Sequence, residues 1–351
     1  METKFLKIDI NSFNTEDLKE AGEIIRAGGL VAFPTETVYG LGGDGLNKES
    51  SKKIYEAKGR PSDNPLIIHI ADLKDIFRIT TGMSDKALML AESFWPGPLT
   101  MILKKAAIVP FETTGGLDTV AVRMPDNKIA LEFIKSAGGY VAAPSANLSG
   151  RPSPTTAEHV CEDMNGRIDM IIDGGSSTIG LESTIVDMTE DVPIILRPGY
   201  ITMNSLSRVV GDVVYDPAIL DLSSDEPPRA PGMKYRHYAP KGDLAIVKGE
   251  KDKVIDYIRR QTEAALSEGE RVGIIATEET YLNYSATEVQ NIGPRDDEAT
   301  IARRLYAVLR EFDEDGITRI YSEDFDTPNM GQAIMNRLIK AAGHHIINLS
   351  N

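Results

Sequence analysis

The segment YDPAILDLSSDEPPRAPGMKYRHYAPKG begins at Tyr215, in a stretch from about residue 205 to 242 rich in proline, aspartate and serine. It reads as a long, mostly extended linker. A single apolar core cannot continue through such a segment, and 351 residues suffice for two cores. The chain therefore divides into residues 1–205, a linker over 206–242 and residues 243–351. Upstream, strand-like runs (LVAF, PLIIHI, LTMIL, TVAVRM, YVAAPS, MIIDGG, STIVDM, IILRPG) mix with helix-like ones. Among the latter are NTEDLKEAGEIIRAGG, with cap candidates Asn14 and Thr15, SSKKIYEAKG and KIALEFIKSAGG. Several strands follow one another with no helix between them, which predicts a twisted α/β sheet of mixed parallel and antiparallel pairing. Downstream, strand and helix alternate regularly, which predicts a smaller parallel three-layer domain.

The formal net charge of −15 argues against a protein that coats nucleic acid or anionic membrane, but leaves room for a local basic site. The single cysteine, Cys161, excludes an internal disulfide, fits a reducing compartment and reads as a helix filler. METKFLKIDINSF has no apolar signal core, and no window approaches about 20 uninterrupted apolar residues, so a soluble cytoplasmic protein is expected.

Several short stretches carry chemistry. YGLGGDGL contains a G-x-G-x-x-G at Gly40, Gly42 and Gly45, but PTETVY separates it from the strand LVAF. A dinucleotide fingerprint needs its first glycine at the strand end, so these glycines are expected to serve tight turns. FPTETVYG puts Thr35, Glu36 and Thr37 just past a buried strand, where they are either ligand contacts or turn caps. KGRPSDNPLIIHI gathers Lys58, Arg60, Asn64 and His69 around a proline-stiffened turn. Lys58 and Arg60 suit a polyanion, or equally a helix C-terminus. TVAVRMP places Thr119, Ala121 and Arg123 on one strand face. A guanidinium there needs a partner, either a bound carboxylate or one from the protein. AAPSANLSGRPSPTT crowds Ser145, Asn147, Ser149, Ser153, Thr155 and Thr156 into one loop able to wrap phosphates without a P-loop. LESTIVDM and ILRPG add Ser183 and Arg197. No metal-spaced Cys/His cluster exists, His344-His345 stands alone, and no G-x-S-x-G supports a serine triad.

In order along the chain, FPTETVYGLG, KGRPSDNPLIIHI, FWPGPLT, TVAVRMP, AAPSANLSGRPSPTT, GLESTIVD, ILRPG and APGMKYRHYAP together resemble the threonylcarbamoyl-AMP synthase family, over about residues 15 to 241. The extra C-terminal domain resembles the family's two-domain form. The resemblance implies a YrdC-like twisted mixed sheet with flanking helices, followed by a smaller Rossmann-like three-layer domain. It implies synthesis of threonylcarbamoyl-adenylate from L-threonine, bicarbonate and ATP, with release of pyrophosphate. Partner proteins then transfer the threonylcarbamoyl group to tRNA.

By the family pattern, Arg60, Asn64, Thr119, Ser145, Ser153 and Arg197 contact ATP. Thr37, His69, Arg123 and Ser183 hold threonine, with help from the backbone at Ala143. Lys58 lies near the phosphates, and Lys58 and Arg60 are the catalytic candidates. Mg2+ would arrive with ATP and need no protein ligand cluster. The segment Ala230–Pro240 is expected to be a lid, with Tyr238 on the nucleotide and Arg236 or His237 on the phosphates. No membrane and no strong direct nucleic-acid binding is expected. Two rival readings remain at this level: a double-stranded RNA-binding module of the YrdC-like type, and a carbamoyl-adenylate former using carbamoyl phosphate.

Overall fold

The computed structural model describes residues 2–219 and 238–349. They divide into two units: residues 2–149, 153–178 and 182–219 form the first, and residues 150–152, 179–181 and 238–349 the second. Most of the expected lid, and with it Arg236 and His237, lies outside the described residues.

The first unit is built on an eleven-stranded sheet. In spatial order its strands are Lys4–Lys7, Met170–Asp173, Val31–Phe33, Gly40–Asp44, Val141–Ala143, Ile67–His69, Thr119–Arg123, Leu99–Lys104, Thr184–Asp187, Ile194–Arg197 and Val214–Tyr215. Parallel and antiparallel pairs are interspersed, as the helix-free strand successions predict. Local chemistry explains the flanking helices. Asn14 accepts from the Glu16 amide, and its own amide donates to Asp17, a capping box that starts the turn before helix Lys19–Arg26. Helix Lys48–Lys58 begins where the Asn47 side chain accepts from the Glu49 amide. It ends at Gly59, whose φ of 61° is the left-handed conformation that closes a helix.

Gly40, Gly42 and Gly43 of YGLGGDGL lie in a strand and make no turn, whereas Gly45 lies in the turn that follows it, as expected. Gly40–Asp44 is a buried strand between Val31–Phe33 and Val141–Ala143. A Cβ on Gly42 would lie 2.8 Å from Val141 Cγ1 and 3.1 Å from the Val31 carbonyl oxygen. One on Gly40 would lie 3.0 Å from the Phe33 ring. Close packing, and not backbone freedom, demands glycine here.

The second unit carries a fully parallel five-stranded sheet, ordered Glu288–Asn291, Val272–Ala276, Arg319–Glu323, Asp243–Lys248, Ile346–Asn348. Ala245, Val247, Ile274 and Ala276 cluster with Val254, Ile255 and Ile258 of helix Lys251–Ser267. Gly273, on the opposite face by alternation, meets Phe312 of helix Glu298–Glu314. Helices therefore cover both faces, giving three layers.

Candidate active site

The register of the mixed sheet assembles a polar row. His69 pairs across strands with Arg123, and Arg123 with Thr100. Directly opposed residues in a sheet point to the same face, so one face carries His69, Arg123 and Thr100 side by side. The Thr100 and Ser183 hydroxyls share a hydrogen bond of 2.7 Å. Arg197 extends the row, donating from Nε to the Ser183 carbonyl (3.1 Å) and from Nη2 to its hydroxyl (3.2 Å). All five side chains are buried. Ala143 belongs to the neighbouring row, opposite Ile67. Thr119 sits four residues before Arg123 on the same strand face, about 13 Å along it.

Arg123 meets a protein carboxylate. Its Nη2 lies 2.7 Å from Glu36 Oε1, both side chains being nearly inaccessible. The approach lacks hydrogen-bond alignment: Glu36 Oε1 and Oε2 and Arg123 Nε and Nη2 have no hydrogen-bond partner among the described residues. Hydrogen bonds from Thr35 and Ser177 hold the loop that presents Glu36. The Thr35 hydroxyl donates to the Val38 carbonyl (2.6 Å) and accepts from the Thr37 and Val38 amides. Ser177 Oγ donates to the Thr35 carbonyl at 2.9 Å. Thr37 is fully buried, its hydroxyl 2.9 Å from that of Thr35.

His69 is held neutral. Burial, reinforced by the Arg123 charge, pushes its pKa down to about 3. Its Nδ1 lies 3.1 Å from the Ile67 carbonyl, and its ring meets Phe33 edge-on at 5.8 Å.

A second group forms where helix Lys48–Lys58 meets the polar loop. Lys58 Nζ donates to the carbonyls of Ser145 (2.6 Å) and Asn147 (2.5 Å). Ser145 Oγ donates to Asn147 Oδ1 at 2.5 Å, and the Ser149 amide donates to the Lys58 carbonyl. Lys58 thus fixes the shape of the loop. On the adjoining turn Arg60 Nη2 donates to the carbonyls of Asn64 (3.3 Å) and Pro65 (3.4 Å). The Asn64 side chain is fully buried, yet neither its oxygen nor its nitrogen has a hydrogen-bond partner among the described residues. Ser153 joins the polar row indirectly, donating at 2.6 Å to Glu182, the neighbour of Ser183. Tyr238 lies in the second unit, against the Tyr306 ring at 5.2 Å, with a φ of 65°.

Glu36, Thr100, Asn147 and Glu182 all lie within the quoted motifs, but the family pattern assigns none of them a contact. Strand register, which brings Thr100 beside Arg123, is what reveals them. Among the described residues, no group of three or more His, Cys, Asp or Glu could hold a metal ion, and no helix is long and apolar enough to cross a membrane.

Chemically, the row offers two arginines, a neutral imidazole and hydroxyls on one buried face. The loop beside Lys58 adds further hydroxyls and amides. Such a face suits a carboxylate at one end and a polyphosphate at the other.

Residues 23–199 match the family model described as telomere recombination (Sua5, YciO and YrdC), and residues 201–343 match the C-terminal domain of threonylcarbamoyl-AMP synthase. The chain is 48% identical to the threonylcarbamoyl-AMP synthase of Pyrococcus abyssi over 330 residues, 94% of this chain and 95% of that one. It is 47% identical to the Bacillus subtilis protein of the same name over 352 aligned positions, 99% and 100% of the two chains. A crystal structure of P. abyssi Sua5 complexed with L-threonine superposes with a TM-score of 0.92 at 45% identity, covering 99% of this chain and 100% of that one.

Proposed function

Since the chain belongs to the threonylcarbamoyl-AMP synthase family, we propose that it joins L-threonine, bicarbonate and ATP into threonylcarbamoyl-adenylate, releasing pyrophosphate and water. The observation that carries this reading is Arg123. It is a buried guanidinium in a polar row, with hydrogen-bonding groups left unmatched among the described residues. An amino-acid carboxylate supplies the planar, two-oxygen partner such a group needs. The P. abyssi complex with L-threonine supports threonine as that amino acid.

In this reading Arg123 takes the threonine carboxylate. Thr37, Ser183, neutral His69 and the backbone at Ala143 fix the rest of the amino acid. Arg60, Asn64, Thr119, Ser145, Ser153 and Arg197 contact ATP. Lys58 holds the Ser145–Asn147 loop and adds positive charge beside the phosphates. The amine attacks carbon dioxide or bicarbonate to give a carbamate, whose oxygen attacks the α-phosphorus, and pyrophosphate leaves. No protein nucleophile takes part. The side chains align the reactants and neutralise developing phosphate charge. Mg2+ would enter with the ATP substrate and would supply charge neutralisation at the phosphates. The labile adenylate is then consumed by proteins that transfer threonylcarbamoyl to tRNA.

The test is pyrophosphate release from ATP and bicarbonate with each of several amino acids, the nucleotides being separated by HPLC. Release that depends on threonine is expected. Release without an amino acid, or equally with all of them, contradicts the proposal.

A further inference from the structure

The ion pair between Arg123 and Glu36 is unusual in being close, buried and unfinished. The two charged groups approach to 2.7 Å with side chains 5% and 7% exposed. Yet both carboxylate oxygens of Glu36, and Nε and Nη2 of Arg123, lack a hydrogen-bond partner among the described residues. A buried pair of this kind contributes little unless its remaining lone pairs and protons are satisfied, because both charges have lost their water. The loop does not let Glu36 relax, since Thr35 and Ser177 fix its backbone on both sides. A buried carboxylate with both acceptor atoms unmatched among the described residues suits a donor brought by a ligand.

An α-amino acid brings such a donor. Its carboxylate and ammonium sit on one carbon, the spacing of a ligand that faces a guanidinium and a carboxylate held side by side. We propose that Glu36 is the specificity-determining residue for the ammonium of the amino-acid substrate, receiving that group while Arg123 receives the carboxylate. This rests on the proposed function and names a residue role within the same site. The site is then charge-matched before and after binding. The zwitterion replaces one misaligned internal pair with two aligned external ones. A carboxylic acid without the ammonium leaves Glu36 buried with no donor, which is a strong basis for rejection.

Calorimetric titration of the full chain with L-threonine, and with its α-hydroxy analogue in which a hydroxyl replaces the ammonium, tests this. The wild type binds threonine roughly ten- to a hundredfold more tightly than the analogue, as expected for a hydrogen bond to a buried charge. In Glu36→Gln that preference collapses towards unity. In Glu36→Asp, which keeps the charge on a shorter arm, part of it returns. Equal binding of the two ligands by the wild type overturns the inference without any variant. So does a Glu36→Gln protein that weakens both ligands equally, which marks Glu36 as a structural support for Arg123. A variant that binds both more tightly overturns it too, marking Glu36 as a mere occupant of the arginine. If the wild type binds no threonine at all, the proposed function fails and this inference with it. Threonine binding with an unchanged preference sinks the inference alone.

Discussion

His69 makes the site sensitive to acid through stability and not through chemistry. In the unfolded chain its imidazole takes a proton from about pH 6.5 downward, whereas in the fold burial and the Arg123 charge delay protonation to about pH 3. Between those values the unfolded chain binds more protons, so stability falls as the pH falls. From pH 8 to pH 5 the imbalance amounts to about 2 kcal/mol, roughly thirtyfold in the folding equilibrium. Carboxylates titrate over the same range, so the effect is isolated by subtraction against His69→Gln, which keeps a polar side chain with nothing to titrate. The chain's single tryptophan, Trp95, is buried in the first unit and donates to the Leu99 carbonyl at 2.7 Å. Its fluorescence therefore reports unfolding of the unit that contains His69. Urea titrations at pH 8 and pH 5 should show the wild type losing about 2 kcal/mol more than the variant over that interval. An equal loss in both proteins refutes the argument that His69 is held neutral by its surroundings.

Arg60→Ala should slow pyrophosphate release by about 2–4 kcal/mol of transition-state stabilisation while the protein stays folded, read by steady-state kinetics alongside thermal melting. Near-normal release from a folded variant would remove Arg60 from the phosphate site. Asn64→Leu replaces a buried amide whose oxygen and nitrogen have no hydrogen-bond partner among the described residues. Stability should be unchanged or rise by about 1 kcal/mol while ATP binding weakens, and a large loss of melting temperature would show that the amide is structural. Arg123→Lys should raise the KM for threonine about tenfold or more and that for ATP far less, because an ammonium cannot reproduce the planar fork. Equal changes in both constants would count against a carboxylate-anchoring role.

What could be read from sequence is what local chemistry writes. Asn47 and Gly59 bracket a helix with a side-chain cap and a left-handed stop, and both signals sit within the helix's own segment. The succession of strands without helices implied mixed pairing, because parallel neighbours need long crossovers. The glycine-rich stretch misleads for a physical reason. In sequence, glycine signals backbone freedom, whereas here Gly42 is demanded by Val141, a residue that only the fold brings near. The strand Lys4–Lys7 escaped notice because its partner, Met170–Asp173, lies far along the chain. Arg123 could be seen to need a partner, with a bound and a protein carboxylate equally open. The structure supplies Glu36, from 87 positions upstream, and shows the pair to be unfinished. That last fact depends on angles, which no residue pattern encodes.

In the proposed reaction, threonine, bicarbonate and ATP are joined on this one face. Mass spectrometry of the adenylate formed from ATP, L-threonine and carbon-13 bicarbonate tests it most directly. An AMP adduct that contains threonine and one labelled carbon is expected to appear in step with pyrophosphate. An AMP adduct of threonine without the label, or pyrophosphate release with no such adduct, would contradict it.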